Sequence, residues 1–259
     1  MSIQLRQICL VSSNLKKIED ELCSILGLEV CHRDPGVAQY GLENFLLPIG
    51  SNFIEVVAPS IDNTAAGRYL ERRKGDGGYM VITQVDSRTM QSKIRQRAEA
   101  KGVRVAHEAE REGWNFCQLH PADMVASMLD IEWDEQENFE GCWHPAGGLT
   151  WLDKVRRDVT ADILGVELQS EDPIKLANLW GSVIDCPMRQ DDASATLALN
   201  NASIRCVRNA DDRGPGLSGV DLLVEDRERI IEAAKLQNCF VHDYEIKICG
   251  TRFYLFNKA

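Results

Sequence analysis

The feature that most constrains this chain is a pattern that restarts four times: a strand, a capping residue, an amphipathic helix, then short strands on tight turns. The first start runs from residues 8–11 through a cap at Ser13-Asn14 into a helix with Leu15, Ile18, Leu22, Ile25 and Leu26 on one stripe and Gly27 as its stop. Strands are expected after it at 28–31, 37–40, 44–48 and 53–59, with turns at Asp34-Pro35-Gly36 and Gly50-Ser51. A connector of helical character, 64–73, leads to the second start: a strand at 79–85, a cap at Asp86-Ser87, a helix ending at Gly102, and strands at 103–106, 116–119 and 125–131. The third start is a strand at 163–169, with Asp172 as cap and Pro173 at the first helical position, followed by strands at 195–199 and 203–207. The fourth is a strand at 219–224 capped by Asp226, then a helix through Ile230, Ile231, Ala234 and Leu236, and strands at 241–248 and 251–256.

One helix followed by about three strands on short turns suits antiparallel meanders with a helix packed outside, and argues against a doubly wound parallel sheet. A unit of this kind cannot close alone, so the units should pair, and two pairs make two domains. The length of 259 residues agrees with that division. The stretch from Trp133, rich in Asp, Glu, Gly and Trp and holding Pro145-Ala146-Gly147-Gly148, reads as a linker. The expected layout is 1–133, a linker at 134–160, and 161–259.

Lys and Arg number 29 against 40 Asp and Glu, and the net charge of −11 argues against nucleic acid and against anionic membranes as partners. No apolar run is long enough to cross a bilayer, and the N-terminus lacks the zones of a signal peptide, so a cytoplasmic protein is expected. The nine cysteines are odd in number and never form a C-x-x-C pair, which reads as reduced thiols. Cys9, Cys206 and Cys249 fall in strand-like runs as small core residues.

Within Phe53-Ile54-Glu55-Val56-Val57-Ala58-Pro59 one carboxylate interrupts an apolar strand. Alternation puts Glu55 on the face of Phe53 and Val57, with Ile54 and Val56 on the core side. A carboxylate between apolar neighbours needs a cation, a donor or water, which makes Glu55 the first functional candidate. His120 in its loop is a candidate acid, base or ligand, and Gln84 shares parity with Met80. Arg68, Arg72 and Arg73 form a basic cluster suited to a carboxylate or phosphate, or else a solvated helix face.

The repeat resembles the vicinal oxygen chelate superfamily, which includes glyoxalase I, methylmalonyl-CoA epimerase, extradiol dioxygenases and bleomycin-resistance proteins. The residues that carry the resemblance are Gln7 through Leu15, Phe53 through Pro59, Tyr69-Leu70-Glu71-Arg72-Arg73 through Gly78, Tyr79 through Asp86, and His120-Pro121-Ala122-Asp123 through Glu132. They lie in the first half. From about Asp162 the chain resembles the repeat in its helices and turns but not in ligand positions. The implied fold is α+β, with four βαβββ modules paired into two cupped mixed-sheet half-barrel domains of the glyoxalase-like kind.

The resemblance implies a divalent metal of open identity, held by one ligand from the first strand and one from the last strand of each module. Carried across, these positions are Gln7 and Glu55 in the first module and Met80 and Asp130 in the second, with Met80 a poor ligand for a hard ion. Gly165 and Gly219 fall at the first-strand positions of the second half, and Arg205 falls where a carboxylate would be. The expected site is therefore Gln7, Glu55 and Asp130 as metal ligands, Glu55 and His120 as proton-moving groups, and Tyr79, Gln84, Arg68 and Arg72 as substrate-binding groups. The implied function is a metal-dependent lyase, isomerase or epimerase acting on a small oxygenated substrate, anionic if the basic cluster takes part. The alternative is a metal-free small-molecule binding or sequestering protein of the bleomycin-resistance kind. An extradiol-type dioxygenase ranks third, because Gln7 and Met80 occupy the positions of its histidines. The superfamily can exchange modules between chains, so a homodimer stays open beside pairing within one chain.

Overall fold

The computed structural model describes residues 2–191 and 194–257, and its elements follow the four starts. The first module is β1 (Ile3–Val11), α1 (Leu15–Leu26), β2 (Leu42–Ile49) and β3 (Asn52–Pro59), followed by the connector helix α2 (Ala65–Arg73). The second is β4 (Gly77–Val85), α3 (Arg88–Ala100), β5 (Val105–Arg111), β6 (Trp114–Leu119), the short α4 (Pro121–Met124) and β7 (Met128–Asp134). The third comprises β8 (Thr160–Ser170), α5 (Pro173–Ile184), β9 (Met188–Gln190), β10 (Ala195–Ala198) and β11 (Ser203–Arg208). The fourth comprises β12 (Gly216–Val224), α6 (Arg227–Leu236), β13 (Phe240–His242), β14 (Glu245–Ile248) and β15 (Thr251–Asn257). In the last three modules the final strand runs parallel to the first, as β4 with β7, β8 with β11 and β12 with β15, while the strands of each meander pair antiparallel. This is the α+β, glyoxalase-like βαβββ architecture expected from the sequence.

The helices begin where short polar side chains can take up orphan backbone N–H groups. Asn14 accepts from the Lys17 N–H at 3.1 Å, Asp172 from Lys175 at 3.0 Å and Asp226 from Arg229 at 3.0 Å. Gly27 ends α1 at φ 68°, a left-handed conformation in which an added Cβ would meet Val159 at 2.8 Å or closer. Only glycine suits both demands.

The first module departs from its expected meander. Residues 28–31 form no strand, and Pro35–Tyr40 is a 3-10 turn where a strand at 37–40 was expected. Pro35 locks φ at the first position and Asp34 accepts from the Gly36 N–H at 2.7 Å, so local turn chemistry overrides the apolar pattern. What remains of the first meander strand is an isolated bridge between His32 and Leu46.

The chain divides into two compact units. Unit 1 holds residues 1–7, 79–141 and 165–217; unit 2 holds 8–78, 142–164 and 218–259. The second module thus shares a unit with the third, and the first with the fourth. The division expected from the sequence runs consecutively along the chain instead, as 1–133 and 161–259. In unit 1, α3 packs with α5, and the Trp180 indole donates to the Met124 carbonyl at 2.9 Å. In unit 2, α1 packs with α6.

Part of the expected linker belongs to the core of unit 2. Trp143 and Trp151 are fully buried there, Phe53 stacks on Trp143 at 6.3 Å and 15°, and Trp151 meets Phe53 edge-on at 5.1 Å. Farther along, Lys154 and Arg156 both pair with Glu29.

Candidate functional site

In unit 2 the register of β2 with β3 pairs Leu46 with Glu55, Asn44 with Val57 and Pro48 with Phe53. Alternation therefore gathers Asn44, Leu46, Phe53, Glu55 and Val57 on one face, as the sequence reading of this strand requires. Glu55 is buried and its Oε1 accepts from the Asn44 amide at 2.6 Å. The Cys9 thiol, on the neighbouring β1, is pushed well above its ordinary pKa by burial first and then by the Glu55 carboxylate beside it. Phe53, two residues before Glu55 on this face, is covered by Trp143 and Trp151.

The basic connector sorts differently from expectation. Arg68 is exposed and donates to the Asn63 carbonyl at 2.6 Å, and exposed Arg72 lies over the Tyr69 ring at 5.6 Å. Arg73 is the buried member of the cluster.

In unit 1 a second polar face emerges. The registers pair Ile82 with Asp130 and Gln84 with Glu132 between β4 and β7, and Gln118 with Asp130, Phe116 with Glu132 and Trp114 with Asp134 between β6 and β7. Asp130, Glu132 and Asp134 therefore share a face with Gln84, Gln118 and Trp114, and all three carboxylates are buried. Each takes a neutral donor: Asp130 from Gln118 at 2.8 Å, Glu132 from the Trp114 indole at 2.7 Å, and Asp134 from Gln84 at 2.7 Å. Asp134 also accepts from the backbone N–H groups of Gln136 and Glu137, which fixes its carboxylate.

Tyr79 and Gln84 have opposite parity on β4, so alternation sends them to opposite faces. Ser127 donates to the Tyr79 carbonyl at 3.1 Å. His120 sits at the start of α4, where its Nδ1 accepts from the Ala122 N–H at 3.2 Å, as a loop histidine serving the backbone. Gln7 is buried on the part of β1 counted with unit 1, as is Asp130, whereas Glu55 belongs to unit 2.

Glu132 was given no site role in the sequence reading, although a signal was there: Ile131-Glu132 repeats Ile54-Glu55 at the end of the next module. In the third module Glu167 and Arg205, direct partners across β8 and β11, form an ion pair at 3.0 Å. A cavity of about 90 Å³ lies elsewhere, between α3 and the β5–β6 hairpin, lined by Gln91, Arg95, Glu108, Asn115 and Cys117 among others. Neither Gln84 nor any of the three carboxylates lines it, and its rim arginines are already paired with Glu108 and Glu110. Geometry and chemistry therefore favour the polar strand face over this cavity.

No family model matches the sequence, and no curated protein matches it. Solved structures do. A hypothetical protein from Staphylococcus aureus is similar over 100% of both chains, at a TM-score of 0.67 and 12% identity. A Mn(II)-bound glyoxalase from Novosphingobium aromaticivorans is similar over 98% of this chain and 81% of its own, at 0.67 and 12%. A mutant of 4-hydroxymandelate synthase from Streptomyces coelicolor is similar over 92% and 76%, at 0.62 and 14%. The chain has the fold of the vicinal oxygen chelate superfamily, as its repeat implied.

Metal use within that fold is attested by the Mn(II)-bound neighbour. The donor set of this chain does not fit such an ion. Among the described residues no three His, Cys, Asp or Glu side chains gather where a metal could be held. Of the four first-strand positions only Gln7 carries a hard donor, since Met80, Gly165 and Gly219 bring none, and Arg205 brings a cation, ion-paired with Glu167, to a last-strand position.

Proposed function

We propose that this chain is a metal-independent small-molecule binding protein on the glyoxalase-like fold, with its ligand site on the strand face of unit 1 that carries Gln84, Asp130, Glu132 and Asp134. The observation that carries this reading is three buried carboxylates in succession along one face of β7, each oriented by a fixed neutral donor. Burying carboxylates costs stability that an apolar face would not lose, and such departures from core packing concentrate at functional sites. The sequestering alternative raised from the sequence fits this better than a route through a bound ion. Gln118 and Trp114 are half-buried and give the face its rim. Glu55 then acts as a structural carboxylate of unit 2, held by Asn44.

A metal-dependent lyase or isomerase is the second reading, favoured by the likeness in fold to the Mn(II)-bound glyoxalase. Elemental analysis of protein purified without chelators, repeated on Glu55→Ala, separates the two. The expected result is substoichiometric metal in both. Stoichiometric metal that disappears in Glu55→Ala would replace the binding reading with the enzymatic one.

A further inference from the structure

The hairpin of β5 and β6 has a second face, opposite the one that Trp114 and Gln118 share with the β7 carboxylates. On it the direct cross-strand pairs are Glu108 with Cys117 and Glu110 with Asn115. Glu108 pairs with Arg95 and Glu110 with Arg88, so this face looks at α3. Gln91 of α3 reaches the same place, where its Nε2 donates to the Ile131 carbonyl at 2.7 Å. Here lies the cavity of about 90 Å³, well above the roughly 10–15 Å³ that one water needs. Asn115 lines it at 5% exposure, and its buried Oδ1 has no hydrogen-bond donor among the described residues. An acceptor left this way costs stability, which a partner inside the cavity would restore.

The wall also fixes the charge of what fits. Its two arginines, Arg88 and Arg95, are each paired with one of its two carboxylates, so the wall carries no net charge. An ion would have to compete with one of these pairs, and an uncharged group would not. An asparagine amide presents an acceptor beside N–H donors, and so does a carboxamide. The two can therefore meet at two points whichever way the Asn115 amide is turned. We infer that this cavity is a subsite for a compact uncharged molecule bearing a primary carboxamide or a urea group, held by the side-chain amide of Asn115. It is separate from the β7 face, and its failure would leave the reading of that face as it stands.

The test uses the full chain, with acetamide, acetate and ethylammonium as probes of similar size. It reads the side-chain N–H signals of Asn115, Gln91 and Gln84 in a nitrogen–proton NMR spectrum. Saturable shifts of Asn115 and Gln91 with acetamide are expected, with none from the two ions and none at Gln84. Asn115→Leu, which keeps a branched side chain but removes the amide, should weaken acetamide by about tenfold or more, read on Gln91, as loss of two hydrogen bonds does. Unchanged Trp143, Trp151 and Trp180 indole signals would report that the variant is folded. Should Asn115→Leu unfold, Asn115→Ala takes its place, and the wild-type response to the three probes decides by itself. Shifts of Asn115 with either ion at the strength seen with acetamide would overturn the ligand class. Acetamide shifts confined to Gln84 would overturn the assignment to this cavity. No shift with any probe, as when ordered water alone fills the cavity, would overturn the site. Equal affinity of a folded Asn115 variant for acetamide would overturn the role of Asn115.

Discussion

Asn44 and Glu55 are joined across β2 and β3 by a 2.6 Å bond in which a buried amide donates to a carboxylate that is only 8% exposed. A carboxylate in such surroundings depends on its donors, and a hydrogen bond to such a group is worth more than an ordinary one. Asn44→Ala should therefore lower stability by about 1.5–3 kcal/mol. Glu55→Gln should cost less, since its amide oxygen still accepts from Asn44. Urea midpoints of the two variants check the order, and an Asn44→Ala as stable as wild type would show that the bond contributes nothing.

The aromatic cluster of Phe53, Trp143 and Trp151 predicts a structural role for a stretch that reads as a linker. Trp151→Ala should destabilise unit 2 by about 3–5 kcal/mol, the usual range for truncating a buried aromatic. Combined with Phe53→Ala, the loss should fall short of the sum, because both substitutions delete the same edge-on contact. Full additivity in thermal or denaturant unfolding would contradict the packing described.

Asp211 predicts a pH dependence in unit 1. Burial raises its pKa, but hydrogen bonds from Gln169 and Arg213 outweigh burial and bring it down to about 2. The folded value thus lies below the unfolded one of about 3.9, so its stabilisation is fully present above about pH 5 and is lost as the pH falls towards 2. Asp211→Asn should be less stable than wild type near neutrality, and the gap should narrow on acidification. A constant gap from neutral to acid pH would rule out this linkage.

The thiols predict slow chemistry. Burial is the first cause that pushes Cys31, Cys117 and Cys206 up to about 12 and Cys23 up to about 11. Little thiolate exists on them at neutral pH, so iodoacetamide should label these four far more slowly in the native protein than after denaturation. Mass spectrometry of peptides after timed labelling checks this. Labelling of any of them at the denatured rate would place its sulfur outside the burial seen here.

Much of the repeat was legible because it rests on local physics. Asn14, Asp172 and Asp226 cap their helices as their positions suggested, and Gly27 stops α1. Residues 37–40 were misread because Val37 and Tyr40 look strand-like in isolation, while Asp34 and Pro35 impose a turn. For the site, Gln84 and Asp130 were assigned roles from the sequence and do share a face, but Glu132 and Asp134 were given no role, although parity alone joins them to Asp130. Trp143 and Trp151 gave no local sign of burial, because their partner Phe53 lies about 90 residues earlier in the chain.

Sequence alone determined what alternation, capping and turn chemistry can determine: four repeats, their helices, and which side chains of each strand look the same way. Tertiary structure decided which repeats share a compact unit, that a polar-looking connector supplies two core tryptophans, and that buried Gln84 meets Asp134 and lies beside Glu132. The reason is physical. Periodicity acts through neighbours a few residues apart, whereas burial and hydrogen-bond satisfaction depend on groups that only folding brings together.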